Sequence, residues 1–153
     1  LNTEINNALD STIKDVLKLN DVNYRIYNSW LTKAKPESFS DSHNHSNSWL
    51  SGVYYPKGLQ GDENLDDFNE DDYIFNNYEN NIDGALVIFD NARVEKGLVL
   101  TQFDDREFYG SEMMVKPRES LLILFPVWLM HMVTPLTTNE KRYSISFGIN
   151  KPM

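Results

Sequence analysis

The chain has 153 residues, 41% of them hydrophobic and 12% aromatic, with no cysteine and a net charge of −9. That length predicts one domain over 1–153 with a single buried core, and the composition excludes a disordered chain. The lack of cysteine excludes a disulfide framework, a thiolate metal site and a Cys nucleophile.

The charge is unevenly spread. Asp62, Glu63, Asp66, Asp67, Glu70, Asp71, Asp72, Glu79 and Asp83 fall between residues 61 and 83 with no Lys or Arg among them, and the remaining 14 acids equal the 14 Lys and Arg. With no basic footprint, binding to a nucleic-acid backbone is not expected, although a nucleotide-sized substrate remains open. The longest apolar run, LLILFPVWLM (121–130), is too short to span a bilayer and is broken by Pro126, so no membrane partner is expected. No basic segment followed by an apolar one opens the chain, so no signal peptide is expected and the cytoplasm is the expected compartment.

In chain order, residues 1–19 read as a helix, with Leu1, Ile5, Leu9, Ile13, Val16 and Leu17 at spacings of three and four. Asn20 and Asp21 end it. The period then changes to two, and NYRIYNSWL (23–31) reads as a first strand. TKAKPESFSDSHNH (32–45) reads as a polar connection, and SWLSGVYYP (48–56) as a second strand. The acidic segment 61–83 is long for a connection inside a compact domain, which suits a lid over a site or a solvated loop. Asp62, Asn64 and Asp66 open like a calcium loop, but Asp67 stands where Gly is needed and Tyr73 where Glu is needed, so it is not an EF-hand. Short strands follow at ALVIFD (85–90), LVLTQF (98–103), EMMVKP (112–117), SLLILFP (120–126) and RYSISFGI (142–149), separated by turn-forming clusters. One helix followed by many short strands predicts a β-sandwich or barrel, with a jelly roll the favoured form.

Two of the three histidines, His43 and His45, are one residue apart. In an extended segment they point to the same side, and two neutral imidazoles converging there suit Fe, Zn, Cu or Ni. Taken alone, the pair reads equally well as exposed residues of a polar loop. His131 lies just past the most apolar strand, so every histidine is expected at a strand end, where a jelly roll can bring distant strands together. On the last strand Arg142, Ser144, Ser146 and Gly148 share one face, and Tyr143, Ile145 and Phe147 the other. A buried guanidinium needs an anion, either an internal Asp or Glu or the carboxylate of a ligand. On the second strand Trp49, Ser51, Val53 and Tyr55 share a face, so Tyr55 can put its phenol where Arg142 points.

These motifs, SHNHSNSWLSGVYYP, GALVIFD, LLILFPVWLMHMVTP and RYSISF, resemble the Fe(II)- and 2-oxoglutarate-dependent dioxygenases from about Trp30 to Asn150. The likeness is greatest to the small prolyl-hydroxylase-like branch found in bacteria and marine phages; a phage-encoded member would work in the host cytoplasm. The resemblance implies a mostly β fold, a double-stranded β-helix (jelly roll) with the N-terminal helix (1–20) packed on it. It implies Fe(II) as cofactor, with 2-oxoglutarate and O2 as co-substrates. The implied reaction is hydroxylation of a substrate with release of succinate and CO2. Residue by residue, His43 and His131 match metal ligands, Arg142 the arginine that pairs with the distal carboxylate of 2-oxoglutarate, and Ser144 and Tyr55 the groups that assist it. Asp90 matches a polar position of unassigned role.

One departure stands out: the wider family has Asp or Glu where this chain has His45. His45 is taken as the third ligand, with Asp41, two residues before His43, as the alternative, and an open third position after that. Two rival functions remain. A cupin-like three-histidine oxygenase that uses no 2-oxoglutarate would not need Arg142, and a non-catalytic jelly-roll module would bind neither Fe(II) nor 2-oxoglutarate. The substrate, whether small molecule or peptide, and the oligomeric state are not encoded in any motif.

Overall fold

Helix α1 runs over Asn2–Ser11 and continues as one π-helical turn, Thr12–Val16. The computed structural model describes residues 2–20, 22–45, 47–57, 83–89 and 112–150. Ile5, Leu9 and Ile13 are buried as their spacing predicts, but Val16 is 71% exposed and Leu17 also faces outward. The amide of Leu17 donates to the Thr12 carbonyl at 2.9 Å, an i to i−5 bond. That wider turn rotates the last apolar residues off the buried stripe, which corrects the expected helix of 1–19.

Eight strands follow among the described residues: β1 Arg25–Ala34, β2 Ser40–His43, β3 Leu50–Lys57, β4 Leu86–Phe89, β5 Glu112–Val115, β6 Leu122–Pro126, β7 Met130–Val133 and β8 Arg142–Asn150. They form two four-stranded sheets, in the orders β1-β8-β3-β6 and β2-β7-β4-β5, and every recorded pairing is antiparallel. Two stacked antiparallel sheets with a helix outside them are the jelly roll expected from the strand count and the resemblance. Two strands, β2 and β7, carry no strand signal in the sequence. β1 runs on to Ala34 and β2 lies inside the supposed connection 32–45, because SDSH has neither the alternation nor the β-branched residues that mark a strand. β7 is only four residues long and follows the β6 turn directly. The expected strand 98–103, the acidic segment up to residue 82, and Asp90 lie outside the described residues.

Alternation in the larger sheet gives it two different faces. Leu50, Phe147 and Ile149 point outward and pack against Ile5 and Leu9 of α1. Val53, Tyr55 and Phe125 point inward and meet Leu86, Ile88 and Val115 of the smaller sheet. The helix therefore covers the back of the sheet whose front faces the smaller sheet. Gly52 makes the helix side tight: a Cβ there would sit 2.3 Å from Phe147 Cζ.

Candidate metal centre

His43 is the last residue of β2 and stands opposite His131 of β7 in the strand register. His45 lies two residues beyond the end of β2. Its amide donates to the Val127 carbonyl at 3.3 Å, which ties that turn to the β6–β7 turn. The three imidazole rings come together, with centroid separations of 4.3 Å (His43–His131), 4.9 Å (His45–His131) and 5.1 Å (His43–His45). One nitrogen from each lies within 4.8 Å of the others, a spacing that one metal ion can draw together. Register pairing and a turn, more than the i, i+2 alternation of an extended segment, bring the third ring in.

The backbone sets which nitrogen is available. His43 Nδ1 lies 2.6 Å from the Asp41 carbonyl, and His131 Nδ1 lies 3.1 Å from the Leu129 carbonyl. A carbonyl only accepts, so each Nδ1 carries the proton and each Nε2 keeps its lone pair. Burial lowers the pKa of His131 to about 4, opposed by its Leu129 hydrogen bond and reinforced by His43 and His45. His45 is lowered as well, by burial and then by His43. Both rings are neutral at pH 7, the form that binds a metal. Asp41 is exposed and offers His43 its backbone carbonyl, and its carboxylate is not among the described groups converging here. Among the described residues, the side chain that joins His43 and His131 is that of His45.

Arg142, 5% exposed, opens β8 in the same cavity, which encloses about 350 Å³ and is also lined by Tyr55, Ser144 and the three histidines. Its Nη1 donates to the Gly84 carbonyl, while its buried Nε has no partner. The Gly84 carbonyl is held in place by stitching on both sides. Gly84 N–H donates to the Pro135 carbonyl at 3.0 Å, Ala85 N–H to Thr134 Oγ1 at 2.8 Å, and Thr137 N–H to Asp83 Oδ1. Burial lowers the Arg142 pKa, opposed by Tyr55 and Asp83; a guanidinium starts so far above neutrality that it stays cationic. Burial pushes the Tyr55 phenol up to about 12 against the opposing charge of Arg142, so it is protonated and can donate. A buried cation with an unused donor, beside a protonated phenol and the Ser144 hydroxyl, has the donor set that suits a carboxylate.

Asp83 and Gly84 were missed as site residues. In the sequence Asp83 belongs to the acidic segment, and the Asp-Gly pair reads only as a turn. Trp30 and Phe125 were missed as well: Trp30 meets the His45 ring edge-on at 5.8 Å between centroids, and Phe125 meets His131 at 4.8 Å.

Residues 28–148 match the family described as "Putative 2OG-Fe(II) oxygenase". Among curated protein sequences none matches the chain. Among solved structures, an oxidoreductase of the 2OG-Fe(II) oxygenase family from Burkholderia pseudomallei is similar at 13% identity and a TM-score of 0.56, over 90% of this chain and 50% of that one. A prolyl-4-hydroxylase from Pseudomonas putida is similar at 17% identity and 0.53, over 96% and 62%. HygX from Streptomyces hygroscopicus, with nickel and 2-oxoglutarate bound, is similar at 13% and 0.57, over 94% and 64%. The chain thus spans one half to just under two thirds of these neighbours, and the likeness to them is one of fold. The family match extends from β1 to β8 and takes in the three histidines and Arg142: the chain belongs to the 2OG-Fe(II) oxygenase family.

Proposed function

We propose that this protein is an Fe(II)- and 2-oxoglutarate-dependent oxygenase that hydroxylates its substrate. The observation that carries the reading is one cavity holding both three converging imidazoles and a buried Arg142 with an unpartnered Nε. A three-histidine oxygenase without 2-oxoglutarate would have no use for that cation.

In this reading His43, His45 and His131 hold Fe(II) through neutral nitrogens. With O2, the bound iron and 2-oxoglutarate supply oxidative decarboxylation to succinate and CO2, with one oxygen atom entering a substrate C–H bond. The chain's own residues bind and orient. Arg142 pairs with the distal carboxylate of 2-oxoglutarate, and Tyr55 and Ser144 donate to the same group. Asp41 and Leu129 carbonyls hold two rings in the tautomer that faces the metal. Phe125, Val53 and Leu86 line the cavity with apolar surface and strengthen the charge pairing inside it. His45, standing where the wider family has a carboxylate, leaves the metal one unit more positive.

The test is anaerobic titration of the Fe(II)-loaded protein with 2-oxoglutarate, following the visible charge-transfer band of the chelate, with Arg142→Ala alongside. Loss of one charged, desolvated pair is expected to weaken the co-substrate roughly 100-fold, from about 3 kcal/mol. Iron binding without a band in the wild type would refute the reading in favour of a three-histidine site that does not use 2-oxoglutarate.

A further inference from the structure

Ser51 is 3% exposed, and its hydroxyl has no hydrogen-bond partner. A buried serine normally finds an acceptor on its own backbone or a neighbour's, so an unpaired hydroxyl facing a cavity suggests a missing ligand. Ser51 shares the inner face of β3 with Val53 and Tyr55, and all three line the cavity. In register it stands opposite Phe125 of β6, whose ring touches His131. The metal centre is therefore on its side.

Position along the strand separates Ser51 from the carboxylate clamp. Tyr55 is four residues away, about 13 Å along an extended strand. The terminal carbons of a five-carbon diacid are only roughly 5 Å apart across four C–C bonds. A molecule clamped by Arg142, Tyr55 and Ser144 at one end does not reach Ser51. Trp30 lies towards the same end: it pairs with Ser146 on β8, four residues from Arg142, and meets His45 edge-on. Trp30 is 41% exposed and lines the cavity, which leaves apolar surface open at its wall.

The charges at this end are equally informative. Among the described lining residues there is no Asp or Glu. Lys33 lines the cavity, but its Nζ lies over the Tyr143 ring, 5.8 Å from the centroid and on the outer side of the sheet. In register Ser51 is flanked by Gly148 and Phe125, and the Ser146 hydroxyl lines the same cavity one inward position along, opposite Val53.

We propose that the end of the cavity away from Arg142 is the substrate subsite, where Ser51 hydrogen-bonds an uncharged polar group of a substrate whose apolar part lies on Trp30. This rests on the oxygenase reading and adds to it the class of substrate: neutral at the reacting end, amphipathic, with an amide, carbonyl or hydroxyl next to an apolar chain or ring.

The test uses the full chain loaded with Zn(II), which binds imidazole without redox chemistry, and 2-oxoglutarate. Three N-acetyl amino-acid amides, of norleucine, lysine and glutamate, are titrated by ligand-detected NMR. The norleucine probe is expected to bind best. Ser51→Ala should weaken it about five- to tenfold, the range for one neutral hydrogen bond, and Ser51→Thr should retain it. Trp30→Ala should weaken it further. Affinity for 2-oxoglutarate should stay within about twofold in both Ser51 variants. Ser51→Ala should also melt no lower than the wild type, because it removes an unpaired buried hydroxyl, whereas a structural serine would melt lower. The proposal is overturned if the charged probes bind as well as the neutral one, if none binds, or if Ser51→Ala weakens 2-oxoglutarate itself. Failure of the wild type to bind 2-oxoglutarate would instead sink the oxygenase reading.

Discussion

Gly52 sits mid-strand in β3, where glycine is ordinarily a poor choice because it loses the most conformational freedom on folding. Replacing it by Ala should then stabilise the chain by about 0.5–1 kcal/mol. The structure predicts the opposite. The new Cβ would lie 2.3 Å from Phe147 Cζ, 2.5 Å from Phe147 Cε2 and 3.0 Å from Leu124 Cδ2. Phe147 is 2% exposed and clusters with Ile5, Leu9, Leu50 and Ile149, so its ring has little room to retreat. Overpacking costs about 1–3 kcal/mol, and so close an approach puts this case at about 2–3; less about 1 kcal/mol of backbone gain, Gly52→Ala is net destabilised by about 1–2 kcal/mol. In a chain of this size that is a fall of about 3–8 °C in Tm. Urea unfolding should show a lower midpoint with an unchanged slope. Phe147→Leu removes the atoms in conflict, so the double variant should be more stable than the sum of the two single changes by about 1 kcal/mol. A Gly52→Ala protein as stable as the wild type, or strictly additive effects, would refute the packing of α1 over this strand.

Gly84 has φ +59°, and Arg142 Nη1 donates to its carbonyl. Gly84→Ala should cost about 1–2 kcal/mol of stability and, by moving that carbonyl, weaken 2-oxoglutarate severalfold; calorimetry reads both. His45→Asp puts an anionic donor on the metal, so the charge-transfer band should move to lower energy while iron stays bound; an unmoved band would mean that His45 is not a ligand. Tyr55, at about 12 in the folded chain against 10.0 unfolded, ionises first in the unfolded state. Its contribution is fully present below pH 10 and is lost as the pH rises towards 12, by about 2 kcal/mol. Comparing wild type and Tyr55→Phe melting at pH 9 and pH 11 should show that extra alkaline loss only in the wild type.

The sequence by itself determined the strand-rich fold, because alternation of apolar and polar residues is a local property. It also determined the inner face of β8: Arg142, Ser144 and Ser146 line the cavity as a period of two requires. His43, His45 and His131 could be nominated because they are the chain's only histidines and flank recognisable strands. What tertiary structure decided is everything that depends on register between distant strands. No local pattern sets His43 opposite His131, 88 positions later in the numbering, or makes a four-residue polar stretch a strand. That His45 and not Asp41 converges with His43 and His131 depends on which side chain the turn after β2 carries inward. Asp83 and Gly84 became site residues only when the segment 134–137 stitched them beside Arg142. Ser51 changed from one inward residue among several to a hydroxyl in want of a partner for the same reason. Burial and hydrogen-bond satisfaction belong to the packed chain, and no stretch of sequence expresses them alone.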